Sequence, residues 1–60
     1  MALTKHEIKN IVERLSLSQG FYGRLLESIE SAEDPDAEWQ KLADQNLNNE
    51  VDLVMFIESC

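Results

Sequence analysis

The chain has 60 residues, 12 acidic against 5 basic, for a formal net charge of −7; 43% of its residues are hydrophobic and 28% charged. A unit of this size buries only about 60% of the surface its unfolded chain exposes, which leaves little material for the walls of a substrate cavity, yet its apolar fraction is too high for a disordered acidic tail. No apolar run approaches the ~20 residues that span a bilayer, and Met1-Ala2-Leu3-Thr4-Lys5-His6 lacks the apolar core and small-residue cleavage site of a signal peptide.

The pattern predicts one small all-α domain over residues 1–60, a bundle of three to four short helices at about 5–15, 19–31, 35–46 and 49–58. The first starts at Thr4, which with Glu7 three residues later matches a capping box. Ile8, Ile11, Val12 and Leu15 follow at i, i+3, i+4 and i+7, one apolar helical face, until Ser16-Leu17-Ser18 interrupts it. Tyr22, Leu25, Leu26 and Ile29 repeat that spacing in a second helix beginning near Ser18 or Gln19, and Phe21 broadens its stripe. Gly20 and Gly23 near its start each cost ~1 kcal/mol relative to alanine and admit the close approach of another backbone.

Pro35 suits the first turn of a third helix with Asp34 as its N-cap, and Trp39, Leu42 and Ala43 point inward before the helix fades at Gln45-Asn46. Leu47-Asn48-Asn49 is a short connection in which either asparagine could cap the last segment. Val51, Leu53, Met55 and Ile57 alternate as a strand would. No second strand is available to pair with them, and an unpaired strand leaves its backbone groups unsatisfied, so the segment reads as a helix. A step of about 100° per residue gathers Leu53, Val54 and Ile57 toward the core and assigns Met55 and Phe56 to the opposite side, flanking Asp52. Either this helix is central with the others wrapped around it, or Met55 and Phe56 meet another chain.

Charge divides the chain. Residues 1–26 carry a net +2 and residues 27–60 a net −9, with Glu27, Glu30, Glu33, Asp34, Asp36 and Glu38 clustered around the turn between the second and third helices. This corner reads first as a solvated surface that also places carboxylates at a helix start. A sharper reading makes it an acidic knob for a basic partner, or a mimic of nucleic-acid phosphates. The same charge argues against binding nucleic acid directly, because five basic residues displace few counterions and acids on a reading helix would face phosphates.

Candidate chemistry is thin. Asp34, Asp36 and Glu38 occupy positions 1, 3 and 5 of a calcium loop, but Trp39 stands where the turn needs glycine and Gln45 where it needs a bidentate glutamate. His6 is the only histidine and Cys60 the only cysteine, so an intrachain disulfide and a multi-thiolate zinc site are excluded, and His6, with no second imidazole and no thiolate nearby, reads as an exposed helix-start residue. Cys60 reads as a terminal thiol that forms an intermolecular disulfide in air, and a reducing cytoplasm is the expected setting. Gly20-Phe21-Tyr22-Gly23 has the spacing of a nucleotide-clamping glycine loop without its basic residues or its sheet. No catalytic residue, metal or cofactor is assigned.

Two blocks, Ser18-Gln19-Gly20-Phe21-Tyr22-Gly23-Arg24-Leu25-Leu26 and Val51-Asp52-Leu53-Val54-Met55-Phe56-Ile57-Glu58, resemble blocks shared by short uncharacterised proteins of Gram-positive bacteria and their phages or mobile elements. That resemblance implies a stand-alone cytoplasmic protein, phage- or element-encoded, and carries no activity or catalytic residue with it.

The resulting expectation is a non-enzymatic acidic protein-interaction module, with another protein or a second copy of itself as partner and no membrane contact. Its apolar contacts are Met55 and Phe56, with Phe21 and Tyr22 as a second patch. The alternative is a regulatory inhibitor whose acidic surface mimics nucleic acid. A small DNA-binding regulator is third.

Overall fold

The computed structural model describes residues 2–59, so Cys60 lies outside the described residues. Four helices, α1 (Lys5–Gln19), α2 (Gly23–Glu30), α3 (Pro35–Ala43) and α4 (Glu50–Glu58), form a compact all-α globule with no strand among the described residues. The capping box forms as the sequence predicts: the Glu7 N–H donates to Thr4 Oγ1 at 3.2 Å and the Thr4 N–H donates to Glu7 Oε1 at 3.0 Å.

Helix α1 is four residues longer than its apolar spacing indicates. The Ser18 hydroxyl turns back onto the Arg14 carbonyl at 2.7 Å instead of capping a new helix, so the serines are carried within α1. Termination falls to Gly20, whose φ of 71° is left-handed and whose N–H is shared by the Leu15 and Ser16 carbonyls. Phe21 also donates its N–H to the Leu15 carbonyl, at 3.2 Å. The second helix therefore begins at Gly23, not near residue 19, and Tyr22 sits before it at φ 63°. The glycines do not serve to admit a neighbouring backbone. A Cβ at Gly20 would have nothing within 4 Å, and one at Gly23 would meet only Ser16 Oγ at 3.8 Å.

Asp34 caps α3 by accepting the Ala37 N–H at 3.2 Å, with Pro35 in the first turn. That helix stops at Ala43, short of the expected end. Asn46 takes a left-handed conformation at φ 58°, which turns Leu47 into the core. The Leu47 carbonyl accepts the Leu3 N–H at 2.6 Å, tying the amino-terminal segment to the α3–α4 connection. Asn49 then caps α4 through the Asp52 N–H at 2.9 Å.

The core consists of Ile8, Val12, Leu15, Ile29, Trp39, Leu47 and Leu53. Helix α1 is its spine, packing most extensively on α3 and also against α2 and α4. At backbone level α4 lies close to α1 alone among the helices. The last helix is thus peripheral, and the arrangement in which the others wrap around it does not occur.

Candidate interaction surface

Helix α4 has apolar residues at Val51, Leu53, Val54, Met55, Phe56 and Ile57, and its single helical neighbour covers only part of them. Leu53 is fully buried, while Ile57 and Phe56 are half-buried against the core cluster. Placing Phe56 opposite the core was therefore an error of face. It follows Leu53 by three residues, and i, i+3 positions lie on neighbouring faces of a helix. The outward apolar pair is instead Val51 and Met55, separated by four residues and 64% and 65% exposed. Val51 was missed because a residue in the first turn next to a capping asparagine reads as a boundary; its i, i+4 relation to Met55 was the available signal.

Val54 leads from this pair into an open groove of about 530 Å³ between α4 and the α1–α2 connection. Leu15, Phe21 and Tyr22 provide the rest of its apolar lining, and Glu50 and Glu58 its acidic groups. Two left-handed residues, Gly20 and Tyr22, flank Phe21, which is 54% exposed. Its ring meets Tyr22 in a tilted arrangement with centroids 6.1 Å apart. Tyr22 packs its ring toward the core and donates its hydroxyl to Glu58 Oε1 at 3.0 Å, which joins the α1–α2 connection to the end of α4. Burial is the main cause of its raised pKa, and the accepting, negatively charged Glu58 adds to it. Arg14 pairs with Glu50 across the other end of the groove.

The six acids of the α2–α3 corner differ in their partners. Asp34 is used as a cap; Asp36 accepts from Lys5 Nζ at 2.8 Å, and Glu38 pairs with Lys41 at 3.2 Å. The hydrogen bond from Lys5 is the main reason the Asp36 carboxyl titrates below its ordinary range, with the charges of Lys5, His6 and Lys9 assisting and desolvation opposing. Glu27 and Glu30 stay exposed along α2, where they line a shallow depression with Arg24, Ser28 and Ser31. Glu33 is exposed in the turn.

His6 is exposed in the first turn of α1, beside Lys5, Lys9 and Asp36. Among the described residues no group of three or more His, Cys, Asp or Glu side chains is placed to hold a metal ion. No described helix is long and apolar enough to cross a membrane. No protein-family model matches the chain, and neither a curated protein nor a solved structure gives a significant match.

Proposed function

We propose that the chain is a non-enzymatic protein-interaction module whose contact face is the outward side of α4, continued through the groove to Phe21. The observation that carries this reading is the peripheral placement of the most apolar helix. At backbone level helix α4 lies close to α1 alone among the helices, and it leaves Val51 and Met55 in solvent, next to a groove lined by Val54, Phe21 and Tyr22. Exposed apolar residues scattered singly need no explanation, whereas a contiguous strip beside a groove is the form that recognition surfaces take. Methionine is suited to such a surface because its unbranched side chain adapts to different partners.

Inhibition by nucleic-acid mimicry has less support. Such a surface needs free carboxylates at phosphate-like intervals, and two of the six, Asp36 and Glu38, are paired with Lys5 and Lys41 within the chain.

Affinity capture from cells expressing the chain separates the two readings. The parent is compared with Val51→Ser/Met55→Ser and with Glu27→Lys/Glu30→Lys/Glu33→Lys. A partner lost with the serine variant and kept with the lysine variant supports the interaction face. The opposite pattern supports the acidic inhibitor, and a partner indifferent to both sets removes both.

A further inference from the structure

Resting on the interaction-face reading, we infer that the occupant of this surface is a cationic amphipathic segment of a different protein and not a second copy of this chain. The argument is one of charge around an apolar strip. Within α4 the charged residues are Glu50, Asp52 and Glu58, with no basic residue among its nine positions. At about 100° per residue Val51 and Met55 fall between Glu58 and Asp52 around α4, and Glu50 and Glu58 line the groove that Val54 enters. Any segment that covers the strip must therefore bring its own groups close to three carboxylates.

Their partners within the chain leave that demand largely unmet. Asp52 accepts the Asn48 N–H, and Glu58 accepts the Tyr22 hydroxyl; both are neutral donors that leave the negative charge in place. Glu50 pairs with Arg14, an exposed bridge at the end of the groove. A second copy answers this charge poorly. Each chain has a net charge of −7, and α4 laid on α4 in either direction opposes acidic helices that contain no cation. A lysine- or arginine-bearing helix with apolar side chains at i and i+4 meets both requirements. Its apolar side chains cover Val51 and Met55, and its cations reach Glu58 and Asp52. The net charge of −7 on the whole chain would also attract such a segment to the molecule.

The test uses two synthetic helical peptides with identical leucines at i, i+4 and i+7, one flanked by lysines and the other by glutamates. Each is titrated into the isotope-labelled chain with amide shifts recorded, and the molar mass of the chain alone is measured by light scattering with reductant present. The lysine peptide is expected to shift the amides of α4, Phe21 and Tyr22, with binding that weakens as salt rises. Glu58→Gln and Glu50→Gln should each weaken it by about two- to fivefold, the range for exposed ion pairs. Equal binding of both peptides at α4 overturns the cationic assignment and leaves the interaction face standing. So does a dimer that Val51→Ser/Met55→Ser converts to monomer. A monomer whose α4 responds to neither peptide overturns the inference and the interaction face together.

Discussion

Gly20 and Gly23 lie three residues apart in one connection, and the structure gives them opposite roles. At φ 71° Gly20 is in the left-handed region, which costs an L-residue roughly 1–2 kcal/mol. A Cβ there would meet nothing within 4 Å, so the cost of Gly20→Ala is conformational with no steric contribution. Restricting the unfolded chain offsets about 0.4–1 kcal/mol of it, leaving a net loss of about 1 kcal/mol. Gly23 has no positive φ, begins α2, and would place its Cβ in ordinary contact with Ser16 Oγ at 3.8 Å. Gly23→Ala should therefore stabilise by about 0.4–1 kcal/mol through helix propensity and the same restriction of the unfolded chain. Each kcal/mol moves the melting temperature of so small a domain by about 4–8 °C. Urea unfolding followed by the fluorescence of the single, buried Trp39 reads both variants, and unchanged m-values would confirm that stability alone has moved. Equal stability of Gly20→Ala and the parent would refute the assignment of Gly20 as an obligatory left-handed cap, and a loss in Gly23→Ala would refute the reading of Gly23 as an unstrained helical position.

Leu53→Ala should cost about 2–5 kcal/mol because its side chain is fully buried, whereas Val51→Ser/Met55→Ser should stay within about 0.5 kcal/mol per site; a large loss in the double variant by urea unfolding would mean that the outward pair supports the fold. Tyr22, the only tyrosine, should ionise above its ordinary value in the folded chain, read from tyrosinate absorbance against the urea-unfolded protein, and Glu58→Ala should lower that value. Because the folded state holds this proton more tightly, the associated stability is complete below the unfolded pKa and is lost as pH rises through the folded one. The depressed Asp36 carboxyl has the opposite sign: its contribution is present above the unfolded pKa and disappears as pH falls through the folded value. Lys5→Met should move the Asp36 titration upward in a carboxyl-carbon NMR experiment, and an unmoved curve would deny the pair its role.

Elements defined by local chemistry were legible in the sequence. Thr4 with Glu7, Asp34 with Pro35, and Asn49 all begin helices where their side chains can satisfy exposed N–H groups, and those three starts are found within a residue of expectation. Boundaries decided by competing local signals were less so. The serines at 16 and 18 resemble a break, but a serine can remain helical by bonding to the carbonyl four residues back, as Ser18 does with Arg14. Leu47 looked like part of a polar connection because its burial depends on the left-handed turn at Asn46 and on pairing with Leu3, a contact 44 residues distant in sequence that no local pattern encodes. On α4, apolar residues occur on nearly every side, so periodicity could not say which of them would be covered. That depended on how many helices pack against it.

Helix lengths explain why the uncovered side belongs to α4. Helix α1 has 15 residues and spans about 22 Å, while α2, α3 and α4 have 8, 9 and 9 and reach only about 12–14 Å. Helix α1 alone lies close to all the others; α2 and α3 also pack on each other, and each short helix leaves part of its circumference facing solvent. For α3 this is harmless, because Asp36, Gln40, Lys41 and Asp44 supply an exposed polar side. Helix α4, close to α1 alone at backbone level, has valine and methionine where polar residues would cost the fold nothing. Leu17, 88% exposed on α1, shows that the chain also tolerates a lone apolar side chain among serines. Val51 and Met55 differ because they are four residues apart on one helix and Val54, between them in sequence, lines the groove reaching Phe21. The fold leaves that surface uncovered at its edge, and the acids beside it favour a cationic partner over a second copy.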